Sequence, residues 1–134
     1  MSASAQIVKE GGSIIVAAEC WDGIPDHGEY GQLLRGADSL EALLETIRAP
    51  GFQRQDMWQA HIQALICSRA DVYVYSHNLS DEQIRNAHLE PCRDIRATVT
   101  RLMQKYGLEC TICVLPEGPQ TIPYIQPSGG HVAC

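Results

Sequence analysis

The amino-acid sequence predicts an α/β domain in three layers, a small, mainly parallel sheet flanked by helices. Two observations carry the prediction. Short β-branched runs alternate along the chain with longer segments whose apolar residues recur at helical spacing, the order that builds a parallel sheet through right-handed crossovers. The first such run, Ser13 to Ala18, is apolar throughout after its opening serine, as a strand buried on both faces requires. A chain of 134 residues is expected to be a single domain, residues 1–134, with enough length to bury about two-thirds of its unfolded surface.

Each element follows in order. Met1 to Glu10 reads as the last turns of a helix closed by Gly11-Gly12, and Ser13 to Ala18 as the first strand. Residues 20–36 read as a loop. Asp38-Ser-Leu-Glu41 has the form of a capping box with Asp38 as cap, and Leu40, Leu43, Leu44 and Ile47 then mark one helical face up to Pro50-Gly51. A second long helix begins near Gln55-Asp56, with Trp58, Ile62, Leu65 and Ile66 on its apolar face, and runs to about Arg69. Val72 to Tyr75 is a second strand, turning at Ser76-His77-Asn78.

Ser80-Asp-Glu-Gln83 is another capping box and opens a short helix. Glu90-Pro91 opens a longer one with proline at its first position, Ile95, Val99, Leu102, Met103 and Tyr106 on its buried face and Gly107 at its end. Leu108 to Leu115 is a third strand, and residues 116–134 form an extended tail rich in proline and glycine.

Charge and composition remove several classes of function. Ten lysines and arginines against sixteen acids give a formal net charge of −6 and no basic stripe for nucleic acid. The longest apolar stretch is far short of a membrane span, and no secretory leader opens the chain, so a cytoplasmic protein is expected. Reduced thiols then follow for the six cysteines. Cys110-Thr-Ile-Cys113 falls in a predicted strand, where residues three apart face opposite ways, so buried apolar cysteine is favoured over a redox or zinc pair.

In parallel sheets ligands sit beyond the carboxyl ends of the strands. Three segments are expected on that rim: Glu19 to Gly31, Ser76 to Leu79, and Leu115 to Gly118. The first carries Glu19, Asp22, Asp26, His27 and Glu29, oxygen and imidazole donors that could hold a metal. Their spacing matches no metal motif, and acids in a glycine-rich loop are more often solvated or bonded to local amides. No Gly-x-Gly-x-x-Gly follows the strand, and no nucleophile motif occurs. By composition Trp58 reads as a core anchor beside Ile62 and Leu65, and His61 points to solvent. His77 follows a strand end, a common place for catalytic groups, although Ser-His-Asn also makes a good turn.

Four stretches, taken in order, carry a resemblance: GGSIIVAAECWDG (Gly11 to Gly23), DMWQAHI (Asp56 to Ile62), ADVYVYS (Ala70 to Ser76) and VLPEGPQTIPY (Val114 to Tyr124). Together they resemble the C-terminal domain of the nickel-dependent lactate racemase family. The resemblance covers nearly the whole chain and implies a Rossmann-like domain from a longer two-domain enzyme. It further implies that the larger N-terminal half holds a nickel-pincer nucleotide fixed by a lysine. Family members interconvert configurations of 2-hydroxy acids by moving the α-hydride to that cofactor and back, with histidines of the same half shuttling the hydroxyl proton.

What the resemblance implies for this chain is narrower. Trp58 matches the tryptophan of the family's Trp-Gln helix start, which lies near substrate at the domain cleft, and Gln59 matches the glutamine. Both are therefore expected to bind substrate, while Glu19, Asp22, His27, Ser76 and His77 are candidates for the cleft rim. The family's substrate-orienting lysine and glutamine have no counterpart in Met1 to Glu10. No catalytic residue, metal ligand or cofactor is expected within this chain, and alone it should be inactive. The WDGIPDHGEYG loop is longer and more polar than a lactate-specific member would have, which leaves the substrate open. Expected partners are the N-terminal cofactor domain, a small hydroxy acid and a second copy of the chain. The alternative reading is a stand-alone module binding a small ligand on the Glu19 to Gly31 rim without catalysis.

Overall fold

The computed structural model describes residues 1–25 and 28–126. Its elements run α1 (Ser2–Ala5), β1 (Ser13–Ala17), α2 (Tyr30–Arg35), α3 (Leu40–Arg48), α4 (Met57–Cys67), β2 (Asp71–Tyr75), α5 (Asp81–Asn86), β3 (Glu90–Pro91) and α6 (Ile95–Tyr106), with a 3₁₀ turn over Gly118–Gln120. The strands pair in the order β1-β2-β3, all parallel, so the α/β class holds. None of these helices is long and apolar enough to cross a membrane.

Register decides which side chains share a face. Ile14 stands opposite Val72 and Val16 opposite Val74, so with side chains alternating along each strand these four point to one side. There Ile14 and Val72 pack with Ile66 of α4 and with Ala70. Behind them α2, α3 and α4 enclose a second cluster around Leu33, Leu34, Leu43, Ile47, Ala60 and Ala64. The opposite face meets α6. Tyr106 bonds Ser13 at 2.9 Å, Lys105 donates to Asp71 at 2.7 Å, and the Arg101 guanidinium lies 5.5 Å from the centre of the Tyr73 ring.

Several predicted elements shift, each for a local reason. The expected third strand, Leu108 to Leu115, is not one. The third strand is Glu90–Pro91, which pairs with Tyr73 and Val74 of β2. Proline is tolerated on this edge strand, and the Cys92 amide continues the pairing to the Val74 carbonyl at 2.9 Å. The helix predicted from Pro91 consequently starts four residues later, where Asp94 accepts the Ala97 amide at 2.9 Å. Its expected buried face is shallower than predicted: Thr98 is buried, while Ile95 and Tyr106 are exposed.

The α3 cap moves from Asp38 to Ser39, whose hydroxyl accepts the Ala42 amide. The capping box of α5 forms as predicted, with Ser80 and Gln83 each satisfying the other's backbone amide. Residues 20–36 contain α2, and its Leu33 and Leu34 are core residues. On α4 the buried stripe is Ala60, Gln63, Ala64 and Ile66, whereas Trp58, Ile62 and Leu65 are exposed. Trp58 is therefore not the core anchor its composition suggested. Cys113 is exposed and Cys110 half-buried, because the segment that carries them is not in the sheet. Residues 127–134 of the predicted tail lie outside the described residues.

Candidate functional site

The carboxyl ends of β1 and β2 open onto two connected loops. Beyond β2, Ser76 is buried and its hydroxyl donates to the Glu19 carbonyl at 2.7 Å, while Asn78 Nδ2 donates to the same oxygen at 2.8 Å. Arg93 fixes the second loop from the side, donating to the carbonyls of Ser76 and Leu79, each at 3.0 Å, and to Asp81 Oδ1 at 2.6 Å. These contacts hold the two rim segments together. The third rim expected at Leu115 to Gly118 does not form, since no strand leads into it; the following 3₁₀ turn packs against α1 instead.

Past Cys20 the opening loop returns to the start of α4. Glu29 accepts from Arg54 Nε at 2.9 Å and from the Gln55 amide at 2.8 Å, and the guanidinium holds the Glu29 carboxyl below the usual carboxylate range. Gly28 lies so close to this helix start that a Cβ on it would collide with the Asp56 carboxylate. The loop and the first turn of α4 thus form one unit. Trp58 emerges from that turn 61% exposed, with Gln59 also exposed beside it.

Between this loop and the core face of the sheet lies a cavity of about 210 Å³, lined by Val16, Ala18, Ile24, Val74, Leu79 and Ile84 among others. Tyr30 and Gln63 are among its lining residues. The Tyr30 hydroxyl donates to Gln63 Oε1, and Gln63 Nε2 donates to the Ala87 carbonyl at 2.6 Å. Burial pushes the Tyr30 phenol up to about 12 and the Cys67 thiol up to about 11, so neither ionises near neutral pH.

The predicted site residues sort as follows. Glu19 and Asp22 are exposed, and Ser76 is committed to its loop contact. His77 is exposed, its Nε2 hydrogen-bonded to the Tyr75 hydroxyl at 3.0 Å with the rings edge to face. His27 and Asp26 lie outside the described residues. Among the described residues no group of three or more His, Cys, Asp or Glu is placed to hold a metal ion. His61 does not point to solvent as expected: its Nε2 is enclosed without a hydrogen-bond partner among the described residues. Gln63 and Tyr30 were not anticipated. The spacing Ala60, Gln63, Ala64, Cys67 was their signal, a small-residue helix stripe interrupted by one amide.

Residues 1–122 match the family model of the lactate racemase C-terminal domain. The chain belongs to that family. It is 29% identical over 119 residues to a lactate racemase of Lactiplantibacillus plantarum, covering 88% of this chain and 28% of the relative. To a lactate racemase of Thermoanaerobacterium thermosaccharolyticum it is 26% identical over 123 residues, covering 91% of this chain and 29% of the relative. The solved lactate racemase apoprotein from Thermoanaerobacterium thermosaccharolyticum superposes with a TM-score of 0.78 at 24% identity, over 93% of this chain and 30% of that one, and shares the fold. The family domain thus spans less than a third of the racemases it matches.

Proposed function

We propose that this domain walls the substrate cleft of a cytoplasmic, nickel-pincer-dependent racemase or epimerase of 2-hydroxy acids, and that it is inactive alone. The observation that carries the proposal is Trp58. In a member of the lactate racemase C-terminal domain family, a large indole stands exposed at the first turn of α4, anchored by a loop that returns to that turn through Glu29 and Arg54. An exposed indole on a fixed helix start is suited to cover a bound substrate and exclude water when a second domain closes over it. Gln59 adds an amide to the same wall.

The cofactor and the proton-shuttling histidines are assigned to the remaining part of the racemase, and the residues of this chain enclose and orient. His77, Glu19 and Asp22 stand on the rim as polar contacts for that closure.

The test is to isolate the protein from its source cells with an antibody to this domain and assay racemisation of 2-hydroxy acids. The expected result is activity in a species or complex much larger than 14.8 kDa, with none from the 134-residue chain by itself. A 14.8 kDa species without racemase activity would make the domain a stand-alone binding module.

A further inference from the structure

We infer that residues 108–125 are a docking arm, and that within it residues 108–115 add a strand to an open sheet edge on the remaining, cofactor-bearing part of the racemase. The inference rests on the racemase reading and adds the surface by which the domain is held.

Exposure is the first argument. Leu108, Ile112, Val114, Ile122, Tyr124 and Ile125 are 56–90% exposed, large apolar side chains gathered on one stretch of chain. Apolar surface gathered in this way marks a contact with another protein surface. Residues 1–122 match the family domain, so most of the stretch is part of that domain. Backbone is the second. Among the described residues the amides of residues 111–115 have no hydrogen-bond partner. Leu108, Cys110, Ile112 and Val114 alternate with Glu109, Thr111 and Cys113, the period of a strand with one apolar side. Such a segment joins a sheet edge through its own backbone groups, and its alternate side chains supply the fit. Pro116 lacks a donor and ends the pairing.

Position and charge select the occupant. The arm leaves α6 at Gly107, next to Tyr106, whose hydroxyl donates to the Gly11 carbonyl at 2.9 Å, and its 3₁₀ turn packs against α1. Both ends of residues 108–117 are therefore held beside the first residues of the domain, at the amino end of β1 and not at the rim. In a C-terminal domain the rest of the protein comes before α1, and the racemase relatives carry more than two-thirds of their length outside the match. Residues 108–125 hold Glu109 and Glu117 and no lysine or arginine. The receiving edge is accordingly apolar and bordered by lysine or arginine, a poor description of a second copy of this chain at net charge −6.

The test compares amide exchange in the 134-residue chain with that in the native protein isolated through this domain. Residues 111–115 are expected to exchange about a hundredfold more slowly in the native protein, while β2 is protected in both. Ile112→Pro, which deletes a donor, and Val114→Asp, which sets a charge on the apolar side, should each abolish the slowing. Both positions are exposed in this chain, and unchanged β2 protection reports that each variant has folded. Equal exchange in the two preparations, or slowing that survives both substitutions, would overturn the inference. Slowing in the 134-residue chain itself, appearing with a doubled mass as concentration rises, would also overturn it by making the occupant a second copy. Racemisation assayed on the same native samples separates the two readings. Racemisation without slowing overturns the arm alone, whereas slowing in a larger species that does not racemise keeps the arm and overturns the racemase reading.

Discussion

Glu29 fastens the opening loop to the first turn of α4, and its charge sets the pH at which that attachment holds. Its carboxyl is held below the ordinary value of 4.5 chiefly by the hydrogen bond from Arg54. A depressed carboxylate contributes stability that is complete above its unfolded value and is lost as pH falls through the lowered folded value. Acidification should therefore begin to weaken the attachment below 4.5 and release the loop as pH falls through the lower folded value, seen as loss of the Gln55 amide's protection from exchange. Glu29→Gln should remove this acid transition while leaving the fold intact at neutral pH. An unchanged acid transition in the variant would contradict the role given to the pair. Tyr30 acts differently, since burial raises its phenol and leaves it un-ionised, hydrogen-bonded to Gln63 at the cavity wall. His61 stands apart, and nothing in the structure explains its unpartnered Nε2.

At the scale of elements, α4 has two apolar stripes, and the sequence could not say which one is inside. Trp58, Ile62 and Leu65 are larger than Ala60 and Ala64, so area alone favours burying the first set. Close packing against α2 and α3 favours the second, because small residues let the helices approach, and that requirement wins. A similar conflict governs Leu108 to Leu115. Its alternation of apolar residues is a real strand pattern, yet a strand also needs a neighbour for its amides, and this segment joins neither outer edge of the β1-β2-β3 sheet. The segment accordingly leaves Leu108 82% and Val114 75% exposed. Backbone amides of residues 111–115 are expected to exchange at near free-peptide rates while those of β2 are strongly protected. Comparable protection in both would show that the segment is paired after all.

What was legible from sequence was the part that local chemistry determines. The β1 and β2 strands, the α5 capping box and the glycine that ends α6 all follow from short-range patterns. Invisible were features made by contacts distant in the chain. The α2 helix lacks a side-chain cap and is held by burying Leu33 and Leu34, and β3 consists of two residues recruited by β2. Of the candidate site, Trp58 and Gln59 are expected from family resemblance alone, whereas composition puts Trp58 in the core, and the structure leaves it exposed. The cavity could not be read at all, because it is built from β1, β2, the opening loop, α4 and α5 together.

For the molecule as a whole, the parallel sheet supplies a rigid floor and its carboxyl end carries the paired rim loops, the cavity and the exposed indole. The chain covers less than a third of its racemase relatives, and the proposed function has it close over chemistry carried elsewhere. The most direct measurement is racemisation by the native protein isolated through this domain, compared between wild type and Trp58→Ala, with nickel content determined on the same samples. The expected result is turnover reduced at least tenfold, about 1.4 kcal/mol of transition-state stabilisation, at unchanged nickel per polypeptide. Wild-type turnover in the variant would contradict the placement of Trp58 at the substrate.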